Sequence, residues 1–540
     1  MQIRPVTSFA LPLFLLLAVL PASSQEVDPK DDEGFETDPR VIEDQVAEIA
    51  EEYEAIASTQ DLEQNRRRRM LARRLGRLRH PKSVKLLGNM VEEDRDLRAK
   101  IAAMNSLCRV GDISAVKRMY RYVLKESRTV LPDYLGMALA RSTDPEVGPW
   151  VVKKMLKSGN KRIRMAAVEA LGVLQEKTAL EPLTELLTKE ARKSQREMHV
   201  YYELLRALGL IGGEQVWPIL EESARATDWR ARLAVAEVLS IHFRSDKAIA
   251  LMRELLKDEK PIVREVAAVA TGEAKLEPLF PELVLLMREG NLRQKKRAYE
   301  AMVAISGKDY GFAPDAWDKW WRDKKAGKLT EEGEIKNRET MSVATYYRFK
   351  IWSDRVLFVI DVSGSMKDPQ FPPHRIEVAH KELTKAIKAL SDKTLFNVMT
   401  FAGNVFVWNK EGEVPATQEN IDKALKWVQM RLMPRGGTNT YDALIKSLEM
   451  NPLVDTVYFL SDGIPSRGKF ELPEEILREL RYANRFRKVI FNTIAITFGK
   501  PSIEKAIKYE DPVEMAAFMK DIADLTGGTT ANIDKPFLDR

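Results

Sequence analysis

A helical sequence unit of about 32 residues recurs eight times between residues 61 and 307, and this repeat limits the possible folds more than any other feature. Each unit contains an apolar anchor, another apolar residue four positions earlier, and a small or modest residue directly after it. A spacing of four places both apolar residues on one helical face. The small residue after each anchor lets neighbouring helices approach closely. The anchors, 31 to 37 residues apart, are Leu75, Leu107, Leu139, Leu171, Leu208, Leu239, Thr271 and Met302.

Two helices per unit at this period predict an α-solenoid over residues 61–322, because a single helix pair cannot bury its apolar face alone. The segment Lys161–Gly172 carries the unit most clearly, as Lys-Arg-Ile-Arg-Met-Ala-Ala-Val-Glu-Ala-Leu-Gly. It resembles the short bacterial HEAT-like repeats first noted in phycobilisome lyases. That resemblance implies a scaffold and no lyase activity, since the repeat itself is not a reactive site.

Two features within this region could be taken for functional sites. Trp317, Trp320 and Trp321 share one helical face after the last repeat, which would suit either a binding platform or a cap over the repeat end. We expect a cap, because the ends of repeat arrays need covering. Cys108 occupies the small-residue position of its repeat, so we expect it to pack and not to act as a nucleophile. A polar linker is predicted at residues 323–349.

The amino-terminal segment has the composition of a secretory signal peptide. Phe9–Leu20 is apolar apart from Pro12, and small residues follow up to residue 24. The apolar run is too short to cross a hydrocarbon core of about 30 Å, so we expect cleavage after residue 24 and no membrane span. The mature protein would then be soluble and exported to the periplasm or the extracellular space. A buried amino-terminal helix is the alternative.

Charge is segregated along the chain, although the total is only +6. Residues 25–55 have a net charge of −11, residues 56–349 have +15, and residues 350–540 have +1. We expect residues 25–60 to form an acidic leader that is partly disordered, with helix plausible from Val41 onward. Nucleic acid would be a common partner for a basic surface, but export argues against it. Two partners for the solenoid remain, an anionic envelope polymer or the chain's own leader.

Apolar strands alternate with amphipathic helices from residue 350 to residue 540. This order predicts a doubly wound α/β domain with a parallel sheet that is covered on both faces. The predicted strands are Arg355–Ile360, Leu395–Phe401, Val405–Trp408, Thr456–Leu460 and Lys488–Thr497. The whole chain is therefore predicted to be multidomain, with an all-α solenoid followed by this α/β domain.

Oxygen-bearing side chains follow the predicted strands of this domain, at the edge where doubly wound sheets bind ligands. They provide two carboxylates and three hydroxyls, a set that suits Mg²⁺, Mn²⁺ or Ca²⁺ and not zinc. Water or an incoming carboxylate would complete the coordination of the metal. The alternative is that these groups only cap helices and turns. The residues are Asp361, Ser363, Ser365, Thr438 and Asp462.

The motifs Asp-x-Ser-x-Ser, Gly-Gly-Thr-x-Thr and Ser-Asp-Gly occur in that order. Together they resemble the metal-ion-dependent adhesion site of von Willebrand factor type A (VWA) domains. The resemblance covers residues 350–534 and implies that the five residues above bind a metal, with both serines as direct ligands. We expect only packing, solvated or supporting roles for the neighbouring polar residues His374, His380, Asp368 and Asn439.

These features predict an exported binding or scaffold protein that is not an enzyme. The VWA-like domain would capture an acidic group of a protein partner through its metal, and the solenoid would provide a second interaction surface. The alternative is a metal-dependent hydrolase that uses the same oxygen ligands. No Gly-x-Ser-x-Gly, His-Glu-x-x-His or phosphate-binding glycine loop is present to support it. A passive scaffold with a vestigial metal site is a third interpretation.

Overall fold

The computed structural model describes residues 39–535, apart from 60, 79, 127–128, 194–196, 243–244, 329–342, 369–371, 451–453 and 500–511. The predicted signal peptide and the first part of the acidic leader therefore lie outside the described residues. The described chain forms two compact units. One contains residues 39–211, 345–349 and 355–535, and the other contains residues 212–344 and 350–354.

The first unit begins with ten helices. The first of them lies where the sequence suggests an acidic leader, and it packs against the second through Val46, Ile49 and Tyr53. Its carboxylates pair with basic repeat residues, Glu52 with Arg67 at 2.5 Å. The ten helices are α1 (Pro39–Ile56), α2 (Leu62–Leu78), α3 (Pro81–Glu93), α4 (Leu97–Val110), α5 (Ile113–Lys125), α6 (Leu131–Leu139), α7 (Val147–Lys154), α8 (Lys161–Val173), α9 (Leu180–Ala191) and α10 (Met198–Ile211).

Helix pairs one repeat apart cross at the small residues that follow the apolar anchors. A methyl group on Gly76 would lie 2.7 Å from Ser106 Cβ, and one on Gly172 would lie 2.9 Å from Ala207 Cα. The crossings of α2 with α4 and of α8 with α10 therefore depend on glycine. The buried Cys108 lies in the same kind of position, and burial raises the pKa of its thiol to about 12. It therefore remains a protonated packing residue at neutral pH.

The second unit repeats the same pattern. A methyl group on Gly272 would lie 2.7 Å from Ala301 Cα at the crossing of two of its helices. Around Phe280, the rings of Trp317, Trp320 and Trp321 lie with centroids 4.9 to 6.0 Å away. The helices are α11 (Trp217–Ala224), α12 (Trp229–Leu239), α13 (Asp246–Leu255), α14 (Pro261–Glu273), α15 (Phe280–Glu289), α16 (Leu292–Ser306) and α17 (Pro314–Lys325).

A short hairpin, β1 (Thr345–Tyr346) and β2 (Phe349–Lys350), precedes the α/β domain. Sequence patterning does not predict this hairpin, because a two-residue strand is too short to show an alternation of apolar and polar residues. Tyr346 is buried, and its ring lies 5.2 Å from that of Phe358, edge to face.

The α/β domain of the first unit contains a mostly parallel sheet, as the alternation of strands and helices predicts. Its strand order is β5-β4-β3-β7-β8-β9, with β6 antiparallel beside β4. Only β5 and β6 are antiparallel, at one edge. The elements are β3 (Arg355–Asp361), α18 (Arg375–Lys388), β4 (Leu395–Phe401), β5 (Val405–Val407), β6 (Val414–Pro415), α19 (Gln418–Arg431), α20 (Thr440–Glu449), β7 (Thr456–Ser461), α21 (Pro473–Asn484), β8 (Ile490–Ile496), α22 (Pro512–Thr526) and β9 (Thr530–Ile533).

Helices on both faces explain why the central strands are apolar throughout. Every residue of β7 is buried, as are all but the first residue of β3 and of β4. The order places β3 between β4 and β7, so the chain reverses its direction of winding beside β3. A switch point of this kind opens a crevice at the carboxyl ends of the strands. The loop after β3 therefore occupies the position where this class of sheet binds ligands.

Helices α21 and α22 pack on the repeat helices of the same unit through ion pairs. Glu514 on α22 accepts hydrogen bonds from Arg66 Nε at 3.0 Å and from Arg69 Nη2 at 2.6 Å, and Arg98 also donates to it. The opposite arrangement occurs along α21 and the loop that follows it, where arginines pair with repeat carboxylates. These pairs are Arg478 with Asp133, Arg481 with Glu169 and Arg485 with Glu203. Part of the repeat region's positive charge is therefore neutralised within the chain.

Among the described residues, none of the helices has the length and apolar character needed to cross a membrane.

Candidate metal centre

The structure brings together the loops that carry the five predicted metal residues. Asp361 is the last residue of β3, and Ser363 and Ser365 follow in the loop and a short 3₁₀ helix. Thr438 lies two residues before α20, and Asp462 directly follows β7. Because β3 and β7 are parallel neighbours, their carboxyl ends meet at one edge of the sheet. Asp361, Ser363, Thr438 and Asp462 are buried.

Asp361 is held by two donors at the base of the site. Its Oδ1 accepts a 2.7 Å hydrogen bond from the Ser363 amide. Its Oδ2 accepts a 2.6 Å hydrogen bond from Ser461 Oγ, which comes from the last residue of β7. Asp361 forms no ion pair with any residue that the structure describes. Two hydrogen bonds therefore fix its orientation, but no neighbouring cation balances its charge.

Ser365 connects the loop after β3 to the loop after β7. Its hydroxyl donates to Asp462 Oδ1 at 2.7 Å and lies 3.2 Å from Ser363 Oγ. The second oxygen of Asp462 accepts a 2.9 Å hydrogen bond from Arg375 Nη1. The same guanidinium donates to the Ser365 carbonyl and, through Nε, to the Phe498 carbonyl after β8. Asp462 thus has a cationic partner, whereas Asp361 does not.

Ser466 positions Thr438 through two hydrogen bonds, one with its side chain and one with its backbone. The Thr438 amide donates to Ser466 Oγ at 3.0 Å, and the Thr438 carbonyl accepts from the Ser466 amide at 3.0 Å. A methyl group on Gly463 would lie 3.0 Å from Thr438 Oγ1 and 3.8 Å from Ser365 Oγ. The absence of a side chain at Gly463 therefore keeps the threonine and serine hydroxyls in one open space beside Asp462.

The electrostatics of this group suit a cation. Burial and, to a smaller extent, the negative charge of Asp462 together raise the pKa of Asp361 to about 7. Among the described residues, no three His, Cys, Asp or Glu side chains cluster so that they could hold a metal ion. A metal at this site would therefore depend on hydroxyl oxygens as well as on the two carboxylates. Such a mixed oxygen set suits Mg²⁺ or Ca²⁺ better than softer metals.

The remaining polar residues near the site support its loops. His374 precedes α18, and its amide donates to Glu377 Oε2 at 3.0 Å. The Asp368 carbonyl accepts from the Arg375 amide, and Asn439 caps α20 by accepting from the Asp442 amide. Sequence reasoning missed the contributions of Ser461 and Arg375. An arginine in the first turn of a helix opposes the helix dipole, and this unfavourable placement was the signal for a buried partner.

Comparisons with known proteins match both regions. A family model of HEAT repeats matches residues 124–198 and 197–272, and a model of the von Willebrand factor type A domain matches residues 354–501. Inter alpha-trypsin inhibitor heavy chain 4 from Mus musculus is 33% identical over 128 residues, which cover 22% of this chain and 13% of that protein. Inter-alpha-trypsin inhibitor heavy chain H6 from Homo sapiens is 27% identical over 157 residues, covering 27% of this chain and 11% of that protein.

Among solved structures, a von Willebrand factor type A protein from Catenulispora acidiphila aligns with 21% identity and a TM-score of 0.27. The alignment covers 34% of this chain and 39% of that one. The family model of the VWA domain includes all three site loops, and the model of the HEAT repeats lies within the predicted solenoid. The chain therefore carries HEAT repeats followed by a von Willebrand factor type A domain.

Proposed function

We propose that this protein is an interaction scaffold whose VWA domain binds a divalent cation and, through it, a carboxylate of a protein partner. HEAT repeats and a VWA domain together suggest a protein-interaction scaffold. VWA domains and the heavy-chain relatives are typically interaction modules without catalysis. The metal dependence, the capture of a partner and an exported location go beyond these likenesses and are part of the proposal.

The unbalanced carboxylate of Asp361 supports this proposal most strongly. A buried anion is costly unless it is paired, and Arg375 pairs with Asp462 and Asp368 but not with Asp361. Hydroxyl groups of Ser363 and Ser365 lie within hydrogen-bonding distance of each other above it. Asp361, Ser363, Ser365, Thr438 and Asp462 would hold Mg²⁺, or Mn²⁺ or Ca²⁺ in its place. The bound ion would supply an open coordination position for an oxygen ligand.

The residues of this chain would each have a distinct task. Ser461 orients Asp361 by donating a hydrogen bond to it. Arg375 binds one carboxylate oxygen of Asp462, and the other oxygen accepts a hydrogen bond from Ser365. The backbone of Ser466 holds Thr438 in register with the loop after β7. The site is thus organised before any partner arrives, which lowers the entropic cost of binding. The HEAT repeats would provide a second surface, for which an anionic envelope polymer remains a proposed partner.

Calorimetric titration of the full chain with Mg²⁺ and Mn²⁺ tests the metal site. We expect one site per chain in the wild type and no binding by Asp361→Asn. The asparagine keeps the size of the side chain and removes a charge that is unbalanced without metal, so the variant should remain folded by circular dichroism. Lys393→Gln, an exposed position before β4 at the opposite edge, is the matched control. Equal titrations of the wild type and Asp361→Asn would refute the metal site.

A further inference from the structure

Each of the three loops that carry the candidate metal residues also carries at least one exposed cation. Lys367 lies two residues after Ser365, Arg435 three residues before Thr438, and Arg467 five residues after Asp462. None of the three cations forms an ion pair or a side-chain hydrogen bond with any part of the chain that the structure describes. We call these three residues the basic rim. Asp368 directly follows Lys367 in the sequence, but its carboxylate pairs with Arg375, whose Nη1 lies 3.8 Å away.

Backbone hydrogen bonds attach the basic rim to the metal loops. The Arg435 amide donates to the Val362 carbonyl at 2.9 Å, and the Gly364 amide donates to the Gly436 carbonyl at the same distance. The Arg435 backbone is therefore joined to the residue that directly follows Asp361. These bonds fix where the side chain of Arg435 begins, although its exposed end is unrestrained.

Arg467 is attached in the same way to the third loop. Its amide donates to the Thr438 carbonyl at 3.3 Å. Its stem also passes beside Gly437, where a methyl group would lie 2.7 Å from Arg467 Cγ. The absence of a side chain at Gly437 thus leaves space for the arginine one residue before Thr438. Arg435 and Arg467 consequently flank the loop that provides the threonine hydroxyl.

Charges this close to the site act on whatever approaches it. Solvent ions screen charges over about 8 Å at physiological ionic strength. The backbones of Arg435 and Arg467 are hydrogen-bonded directly to residues of the metal loops, so screening leaves much of their effect on the site. Positive charges around an opening raise the local concentration of anionic ligands and their rate of association. A partner with one carboxylate would satisfy the metal and leave the basic rim unpaired. Arginine pairs especially well with carboxylates because its planar fork donates two parallel hydrogen bonds.

An exposed apolar side chain in the same loop favours protein over polysaccharide as the partner. Met433, two residues before Arg435, is 62% exposed, and Met430 at the end of α19 is 58% exposed. Methionine is common at surfaces that bind peptides, because its flexible thioether adapts to apolar side chains. A sulfated or carboxylated glycan has no comparable apolar group to cover these residues.

We propose that the partner segment is an acidic peptide in which the metal-binding carboxylate is flanked by further Asp or Glu residues that pair with Arg435 and Arg467. This inference rests on the proposed function, because it concerns the same metal site. It assigns the choice of partner to the basic rim and the strength of attachment to the metal. The two contributions can be separated, since neither arginine is among the five metal residues.

The test uses the full chain and two fluorescent peptides, one with four consecutive acidic residues and one with a single aspartate among serines. Fluorescence anisotropy gives the affinity of each in Mg²⁺ and in chelator. We expect the four-acid peptide to bind about tenfold more tightly than the single-acid peptide in Mg²⁺, which corresponds to two modest ion pairs. The double variant Arg435→Glu/Arg467→Glu should lose this preference and retain the calorimetric titration with Mg²⁺.

The matched control is Lys393→Glu/Lys410→Glu, which makes the same charge change at exposed positions near the amino end of β4. It should keep the tenfold preference. Equal affinities of the two peptides for the wild type, or an unchanged preference in the arginine variant, would overturn the inference. A heparin fragment that displaces the four-acid peptide at a lower concentration than unlabelled peptide would also overturn it, in favour of a glycan. Failure of the proposed function is distinguishable, since peptide binding would then be the same in chelator as in Mg²⁺.

Discussion

Glu514 provides a quantitative test of how the VWA domain is attached to the HEAT repeats. Its side chain is only 7% exposed and lies among Arg66, Arg69 and Arg98. Burial alone would raise the pKa of this carboxyl, but the three arginines reverse that effect and lower the pKa from 4.5 to about 2. A shift of roughly 2.5 pH units at about 1.4 kcal/mol per unit corresponds to about 3–4 kcal/mol of stabilisation.

The sign of the pH dependence follows from the lowered pKa. Between about pH 4.5 and pH 2 the unfolded chain takes up a proton at Glu514, whereas the folded chain keeps the carboxylate. The stabilisation is therefore almost fully present above about pH 5, and more than half of it is lost by about pH 3. Replacing Glu514 with glutamine removes the charge at every pH, so the variant should lack this dependence.

Amide hydrogen exchange within α22 measures the effect at the helix that carries the residue. At pH 7 we expect Glu514→Gln to speed exchange there roughly 300-fold, the equivalent of about 3–4 kcal/mol. After correction for intrinsic rates, the difference from the wild type should shrink at pH 3. Glu419→Gln, an exposed carboxylate that pairs with Lys423 on α19, is the control and should leave α22 unchanged. Equal exchange in Glu514→Gln and wild type at pH 7, or a difference undiminished at pH 3, would contradict the reasoning.

Two further predictions concern the helix crossings and the buried arginine. Gly272→Ala places a methyl group 2.7 Å from Ala301 Cα, so we expect urea denaturation to show a free energy of unfolding lower by about 1–3 kcal/mol. In the control Gly88→Ala, the methyl group meets nothing within 4 Å, so we expect no change or a stabilisation of up to about 1 kcal/mol. Arg375→Met leaves Asp462 without its cation, so we expect a lower Tm in chelator and a larger rise in Tm with Mg²⁺ than in the wild type. Lys388→Met, an exposed cation on the same helix, should respond to Mg²⁺ as the wild type does, and an equal Mg²⁺ response in Arg375→Met would contradict the charge argument.

Local periodicity accounts for the parts of the fold that the sequence predicts well. The anchors Leu75 and Leu171 are fully buried, and the small residues after them lie at helix crossings. The apolar strands β3 and β7 pair in parallel as their composition indicates. Each of these signals is contained within ten or twenty residues, so no knowledge of distant contacts is needed. The helical period in Pro39–Ile56 is also local, and it makes a helix plausible from Val41 within the acidic leader.

Long-range charge pairs account for most of what sequence reasoning did not predict. Glu514 contacts arginines more than 400 positions earlier in the chain. No local pattern distinguishes it from an exposed glutamate on an amphipathic helix, because a charged residue at a helix surface is usually solvated. Sequence reasoning therefore assigns the positive charge of the repeats to an external polymer, to the leader and in part to the repeat motif itself, which favours arginine. The structure shows that three of those arginines contact the VWA domain instead.

Arg375 determines how much negative charge a metal ion at the candidate site would have to neutralise. When both carboxyl groups are ionised, Asp361 and Asp462 together carry two negative charges, and Arg375 supplies one positive charge through Asp462 Oδ2. The serine and threonine hydroxyls add none, so the buried group has a net charge of −1. A divalent cation would change this to +1, the charge that one carboxylate of a partner balances. The arginine thus explains why a site with two buried carboxylates would bind one metal ion and still attract one acidic side chain.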